Sequence, residues 1–456
     1  MSGRGHHQSV NHACRGLGRA LAPTITAIAV LLVISVLSIA WAAGLRPSHQ
    51  EHTAASTSMP TASRTTSPVL DHRTLNRTSA PAISTPSATP SSTPTSTSTS
   101  QSSATTTLTK AQARSKAVAA VNGMSMEERA GQLVMATLTV GSSPSTIRQL
   151  ISDRHMGSVL LIGNWTIGTA GMRAVTDALQ SYAPSGNSLL ITTDEEGGSV
   201  QHLKGDGFDS IPSQVAQGGM TQTALRSSWA RWGSQLAAAG VNVDLAPVVD
   251  TVTVLRSSND AIGALNRDFG LDASGNGLHA AAAIRGLRHA GVRSAIKHFP
   301  GLGGVQGNTD FTASGVKDTS TTADGPEIGA FSTALSADPG MVMMYLATYS
   351  KLDGSSPAAF SSTIVDGLLR STLGFDGVVT SDSLSATAVS GVPVDQLGVR
   401  LIEAGGDLAC MGSPSYNEPV LNGIIAKARA DSTFAARVKQ SAVRVMTLKY
   451  LMGLAR

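Results

Sequence analysis

The sequence predicts an α/β protein of the (β/α)8 TIM barrel class, preceded by a transmembrane helix and a disordered Ser/Thr/Pro-rich stalk. Three features indicate this. An uncharged apolar run lies near the N-terminus, a tract dominated by Ser, Thr and Pro follows it, and from about residue 108 short apolar runs alternate with amphipathic stretches. Alternating strands and helices are typical of an α/β fold with a parallel sheet.

The N-terminal segment predicts export. Residues 1–20 are polar and basic and are expected to be cytoplasmic, while in the following segment, 21–45, no residue from 25 to 44 is charged. About 20 apolar residues cross a bilayer as a helix, and basic residues before the run place the remainder outside. Two interpretations stay open: an uncleaved signal anchor, which the long run favours, and a signal peptide cleaved at the A-x-A-like site 40–42. The protein is therefore expected to be extracytoplasmic, either anchored to the cell membrane or secreted.

Composition narrows the class of protein further. Residues 46–108 are so rich in Ser, Thr and Pro that they cannot bury enough apolar area to fold, so they are predicted to be a disordered linker. The formal charge of +4 comes without a Lys/Arg run interleaved with aromatic residues, which argues against nucleic-acid binding. The cysteines, Cys14 and Cys410, flank the apolar run, so no disulfide framework is expected. Neither a metal nor another cofactor is predicted, and the chain is expected to be a monomer.

The remaining segment, 109–456, is predicted to be the barrel domain. Nearly continuous hydrophobic runs are typical of parallel strands that are covered on both faces. The eight candidate strands are 131–140, 157–163, 188–196, 241–250, 294–300, 341–349, 377–383 and 407–412. Seven helical stretches lie between them, several ending at a glycine, and a helical tail follows. This count matches a barrel. The alternative is an open doubly wound sheet, but the sequence contains no convincing phosphate loop to support it.

Polar residues end several of these apolar runs. Asp194, Lys297, His298 and Asp382 each stand at or near a predicted strand end, and in a barrel those ends meet at the rim that forms the active site. Carboxylates with one Lys, one His and no metal-ligand spacing suit sugar chemistry, because glycosidases use one carboxylate as nucleophile or base and a second group as acid. The glycine-rich segment 300–307 has no Gly-Lys-Ser/Thr, which argues against a nucleotide site.

Five segments, in the correct order, resemble motifs of glycoside hydrolase family 3, in particular its single-domain β-N-acetylhexosaminidase branch. The resemblance extends from about residue 110 to the C-terminus. The matching segments are TTDEEGGSVQHL (192–203, against D-Q-E-G-G-R-V-Q-R-L), NVDLAPVVD (242–250, against D-x-x-P-V-x-D), LNRDFG (265–270, against R-S-F-G), KHFPGLG (297–303, against K-H-F-P-G-H-G) and GFDGVVTSDSL (374–384, against G-F-x-G-[VI]-[VIF]-S-D-D-L).

The resemblance implies a retaining exo-β-N-acetylglucosaminidase that removes terminal β-linked N-acetylglucosamine from cell-wall glycans or muropeptides of the peptidoglycan type. It places Asp382 on the nucleophile that forms a covalent glycosyl-enzyme. It places Asp194, Arg267, Lys297 and His298 on residues that hold the sugar hydroxyls. It implies no cofactor.

The chain differs from the family pattern at the position of the proton donor. The branch carries D-S-H after strand five, and its His is the general acid/base, whereas this chain has Asn308, Thr309 and Asp310 there. A carboxyl group can replace the His if an apolar site or a neighbouring carboxylate raises its pKa. The hypothesis is that Asp310 is the acid/base, with Asn308 as a hydrogen-bond partner. Three further positions depart from the pattern: Ser199, Leu346 and Ser383.

Other functions remain open on the same barrel. One is a different β-glycosidase, such as a β-glucosidase. Another is a catalytically weak, membrane-tethered glycan-binding protein, which the altered 308–310 loop favours and the retained Asp382 argues against. Phosphorolysis of the glycosidic bond is a further alternative to hydrolysis.

Overall fold

The computed structural model describes residues 108–313 and 315–456. The predicted cytoplasmic segment 1–20, the predicted anchor 21–45 and all but the last residue of the predicted stalk 46–108 lie outside the described residues. Within the described part of the chain, no helix is both long and apolar enough to span a membrane.

The centre of the fold is a curled parallel sheet of seven strands in the order β1-β2-β3-β6-β7-β9-β12, so the architecture is α/β as predicted. Seven of the eight predicted apolar runs coincide with a strand of this sheet. Two small sheets, β4-β5 and β8-β10-β11, lie outside it. The strands are β1 (Met135–Thr139), β2 (Ser158–Ile162), β3 (Leu190–Thr193), β4 (Glu195–Gly197), β5 (Val200–Gln201), β6 (Val243–Asp244), β7 (Arg293–Phe299), β8 (Lys317–Asp318), β9 (Met341–Met344), β10 (Thr348–Tyr349), β11 (Asp353–Pro357) and β12 (Val378–Ser381).

The eighth predicted strand, 407–412, differs from the prediction because it forms only isolated parallel bridges. Leu408 bridges to Thr380 and Ala409 bridges to Val134, and the Met135 amide donates to the Ala409 carbonyl at 3.0 Å. Glycines stand before this segment and at its end, which keeps the extended stretch short. The segment nevertheless connects the two outer strands, so the sheet curls back towards itself.

Helices cover the outer face of the sheet. Each of the seven predicted helical stretches coincides with a helix, and 362–374 contains a π-helix (Thr363–Thr372). The first two helices, which the strand–helix pattern did not predict, begin with capping boxes at Thr109 and Ser125. The α-helices are α1 (Lys110–Gly123), α2 (Met126–Gly131), α3 (Arg148–Ser152), α4 (Gly168–Gln180), α5 (Gln214–Gly218), α6 (Gln222–Ala238), α7 (Ala273–His289), α8 (Pro326–Leu335), α9 (Val394–Glu403), α10 (Asn417–Ala430) and α11 (Ser432–Leu451).

The carboxyl ends of the sheet strands carry the polar residues of interest. Asp194 directly follows β3, Tyr345 directly follows β9 and Asp382 directly follows β12, while Lys297 and His298 lie in the last part of β7. Because these strands run parallel, their ends lie at one edge of the curled sheet. The apolar residues of the strands and helices form the core beneath this edge.

Candidate active site

Glu196 is the centre of a buried ionic cluster at this edge. Its Oε1 accepts from the Lys297 ammonium at 2.7 Å and from Arg267 Nη2 at 2.7 Å, and its Oε2 accepts from Arg267 Nε at 2.8 Å. Lys297 also contacts Asp194 Oδ1 at 2.5 Å. Burial acts to raise the pKa of Glu196, but the two cations hold it well below its usual value. Glu196 is therefore a fixed anion that positions Lys297 and Arg267, and it is no proton donor.

The local sequence explains how Asp194 and Glu196 reach this position. After β3 the chain forms the short hairpin β4-β5, and two glycines in sequence, Gly197 (φ 96°) and Gly198 (φ 61°), make its turn. Both adopt the left-handed region that only glycine enters at little cost. A Cβ on Gly197 would lie 2.3 Å from the Pro212 carbonyl oxygen, so a side chain there would displace the turn. The paired glycines thus fold the acidic segment back over the sheet edge.

His298 is held by a buried carboxylate. Its Nδ1 lies 2.7 Å from Asp250 Oδ2, and Asp250 Oδ1 accepts from the Leu302 amide at 2.7 Å. The Tyr345 ring meets the imidazole edge-on, with ring centroids 5.7 Å apart. Since Asp250 accepts the Nδ1 proton, Nε2 is the nitrogen that remains for a ligand. Asp250 was not among the residues predicted for the site.

Asp382, the predicted nucleophile, is held by hydrogen bonds at the start of the loop that follows β12. Its amide donates to the Met344 carbonyl at 2.8 Å, and its Oδ1 accepts from the Ser383 amide at 2.7 Å. Ser383, which occupies the position of a second aspartate in the family motif, accepts at Oγ from the Gly412 amide at 2.9 Å. The bond from the Ser383 amide holds one carboxylate oxygen of Asp382, and within residues 108–313 and 315–456 no hydrogen bond holds the other oxygen.

The loop that carries Asp310 is attached to the loop that follows Asp382. The Thr387 hydroxyl donates to the Asp310 carbonyl at 2.5 Å, and the Ala388 amide donates to the Thr309 carbonyl at 2.9 Å. From below, the Tyr345 hydroxyl accepts from the Thr309 amide at 3.4 Å. The structure therefore holds the predicted acid/base and the predicted nucleophile on two loops that are bonded to each other.

The environment of Asp310 suits a proton donor. The residue as a whole is exposed, yet neighbouring protein atoms partly desolvate its carboxyl group. This desolvation and the nearby Asp382 carboxylate raise the pKa of Asp310 to about 6, against the opposing effect of Arg267. Asn308 is hydrogen-bonded to Asp310 through the backbone: its Oδ1 accepts from the Asp310 amide at 2.9 Å and so stabilises the turn.

A pair of buried carboxyl groups lies behind the ionic cluster. The Glu195 amide donates to Asp244 Oδ1 at 3.0 Å, and Glu195 Oε1 accepts from the Leu203 amide at 2.5 Å. Burial raises the pKa of Asp244 to about 8 and that of Glu195 well above its usual value. Asp244 is therefore mainly uncharged at neutral pH, and burial favours the uncharged form of Glu195 as well. A neutral Glu195 is close in size and polarity to the Gln of the family motif.

The structure brings all six predicted site residues to one edge of the sheet, and it adds several that the sequence did not single out. His202 lies with Nε2 3.9 Å from Asp194 Oδ2, and burial lowers its pKa. Glu196 and His202 stand inside the segment 192–203, so their motif is the signal that marks them. Tyr345 carries no such signal, because it follows an apolar strand and looks like a core residue.

Two carboxylates lie beside the buried ionic cluster at the carboxyl edge of a curled parallel sheet, and this arrangement fits a glycoside hydrolase. Comparison with known proteins establishes that class. The chain belongs to glycosyl hydrolase family 3, because the family model described as the glycosyl hydrolase family 3 N-terminal domain matches residues 125–448. The predicted family and the prediction of a glycoside hydrolase are thereby confirmed.

Three relatives illustrate the similarity. A crystal structure of a β-N-acetylhexosaminidase from Beutenbergia cavernae superposes with a TM-score of 0.69 at 40% identity, over 71% of this chain and 97% of that one. A β-hexosaminidase of Mycobacterium tuberculosis is 32% identical over 66% of this chain and 77% of its own length. An uncharacterized secreted glycosyl hydrolase of Arthroderma benhamiae is 28% identical over 70% of this chain and 92% of its own length.

Proposed function

We propose that this glycoside hydrolase is a retaining exo-β-N-acetylglucosaminidase that removes terminal β-linked N-acetylglucosamine from cell-wall glycans of the peptidoglycan type. The proposal rests on one observation: Asp382 and Asp310 lie on two loops that are joined by hydrogen bonds, and the Asp382 carboxylate is near enough to raise the pKa of Asp310. The names of the bacterial relatives, which are β-hexosaminidases, support the choice of sugar.

Each carboxyl group has its own part in the proposed reaction. Asp382 attacks the anomeric carbon while Asp310 donates its proton to the glycosidic oxygen, so the C–O bond breaks and the leaving group departs as an alcohol. Asp310, now a carboxylate, then removes a proton from water, which displaces Asp382 from the glycosyl-enzyme. The sugar keeps its anomeric configuration because the anomeric carbon is attacked twice.

The ionic cluster holds the sugar ring for this attack. In the proposal Asp194 accepts from sugar hydroxyls and Lys297 and Arg267 donate to them. His298 presents Nε2 to the sugar, because its Nδ1 proton is held by Asp250. Charged groups that are already fixed by the fold need little rearrangement when the substrate enters, and Glu196 provides this fixation for two of them. The Asp250–His298 bond does the same for the imidazole.

We further propose the domain organisation predicted from sequence. Residues 109–456 form the catalytic domain, and the bridges at 408–409 support a closed (β/α)8 barrel. Before it come a cytoplasmic segment (1–20), a membrane-anchor or signal segment (21–45) and a Ser/Thr/Pro linker (46–108), which would place the enzyme outside the membrane. The secreted relative is consistent with that location.

The experiment is hydrolysis of an aryl N-acetyl-β-glucosaminide by the full-length chain. We expect release of the aryl group by the wild type and loss of at least about 10³-fold in kcat for Asp382→Ala, because no other group replaces a nucleophile. The matched control is Asp177→Ala, which removes an exposed carboxylate on α4 and should change nothing. Absence of turnover in the wild type, with glycan binding that survives Asp382→Ala, would instead support the glycan-binding alternative.

A further inference from the structure

Phe311 is the large hydrophobic side chain most exposed among the described residues, with 78% of its surface accessible. Seven large hydrophobic residues are exposed in the described part of the chain, and five of them stand in loops that follow sheet strands: Val140, Ile167, Leu255, Leu265 and Phe311. Scattered apolar residues are normal on a surface. What separates Phe311 from the others is its place in the catalytic loop.

Phe311 directly follows Asp310, and its backbone position is fixed. Its amide donates to the Asn308 carbonyl at 3.2 Å, and the loop is bonded to Thr387 and Ala388 across the site. The phenyl ring is therefore presented to solvent from an anchored turn and contributes almost nothing to the core. A surface that is apolar, held in place and uncovered is a surface that a ligand can use.

The position of Phe311 identifies which part of a substrate would reach it. A general acid lies beside the glycosidic oxygen, on the leaving-group side of the bond it breaks. Consecutive Cα atoms are about 3.8 Å apart, so a ring one residue from the acid would be within reach of the leaving group in the proposed reaction. In the function proposed above, the sugar that is cleaved would bind on the opposite side of that bond, against the paired side chains of Asp194 and Lys297.

We propose that Phe311 binds the leaving group of the substrate, by packing its ring against a cyclic aglycone such as a second sugar. The inference rests on the proposed function and extends it to the aglycone site. An aromatic face packs well against the apolar C–H face of a pyranose ring or against another aromatic ring. The site would thereby favour substrates whose leaving group is a ring over those whose leaving group is small.

The test compares two substrates in one variant. One is the β-linked disaccharide of N-acetylglucosamine, whose leaving group is a ring, and the other is N-acetyl-β-glucosaminyl fluoride, whose leaving group is a single atom. For Phe311→Ala we expect kcat/KM to fall about tenfold with the disaccharide, mainly through a higher KM, and to stay unchanged with the fluoride. Phe311→Trp should keep the disaccharide activity.

The matched control is Leu255→Ala, which removes a side chain of similar exposure, 75%, from another strand-end loop. It should leave both substrates unaffected. An equal loss with both substrates in Phe311→Ala would overturn the aglycone site, as would no loss with either. If the wild type itself hydrolyses neither substrate, the proposed function fails and the aglycone site fails with it, a result distinct from the other two.

Discussion

Replacing Asp310 by Asn isolates the proton donor. The substitution keeps the size of the side chain and leaves the backbone bonds of Asp310 to Asn308 and Thr387 in place. A general acid contributes about 10²–10⁴-fold to the rate, which corresponds to about 3–5 kcal/mol of transition-state free energy. That contribution is needed by a sugar leaving group, which departs as an alcohol, and hardly needed by a dinitrophenolate, which departs as a stable anion.

Two results are expected from kcat/KM measured between pH 4 and pH 8. With the N-acetylglucosamine disaccharide, Asp310→Asn should lose about 10²–10⁴-fold, and with the dinitrophenyl glycoside less than about tenfold in the glycosylation step. Because the pKa of Asp310 is raised to about 6, the wild type should lose disaccharide activity above that pH, as the acid deprotonates. This alkaline decline should disappear in the variant. A loss of equal size with both substrates, or an unchanged alkaline decline, would refute the role of Asp310.

Two further predictions concern the buried groups around the site. In the native state Asp244 has a pKa of about 8, whereas in the unfolded chain its pKa is near 4. Between these two pH values the native state binds more protons than the unfolded state. The stability of the wild type therefore falls as the pH rises through this window. The Oδ1 atom of Asp244→Asn can still accept from the Glu195 amide, so the variant should exceed the wild type in stability by on the order of 4 kcal/mol at pH 7. In urea unfolding this gain should vanish near pH 4, and a pH-independent difference would contradict this. Glu196→Gln removes the anion shared by Lys297 and Arg267 and leaves the charge of these buried cations only partly neutralised. The substitution should lower the free energy of unfolding in urea by about 3 kcal/mol and raise KM. Unchanged stability and KM would show that Asp194 alone holds the two cations.

The sequence predicts much of the fold because its signal is periodic and local. Apolar runs that end in Asp194 and Asp382 form parallel strands at the expected places, with the expected helices between them. The segment 407–412 has the same apolar character, yet it forms only bridges. The glycines before it and at its end shorten the extended stretch, and the places where it meets the two outer strands depend on contacts between distant segments.

The candidate site is predicted in part for a similar reason. A charged residue at the end of an apolar strand stands out, and Lys297 and His298 were found in this way. The role of Asp250 depends on the geometry of His298 and the Leu302 amide, more than forty residues further along the chain. Tyr345 resembles a core residue until the structure shows its hydroxyl beneath the Asp310 loop. Contacts between distant segments therefore account for what the sequence did not predict.

The most direct test of the account is to trap the glycosyl-enzyme. A 5-fluoro derivative of N-acetyl-β-glucosaminyl fluoride has a good leaving group, and its ring fluorine slows breakdown of the intermediate by destabilising an oxocarbenium-like transition state. Incubation with the wild type, followed by proteolysis and mass spectrometry, should show one added glycosyl group on the peptide that contains Asp382, and none in Asp382→Ala. Label on a different residue, or continued turnover of the aryl glycoside by Asp382→Ala, would contradict the assignment of Asp382 as the nucleophile.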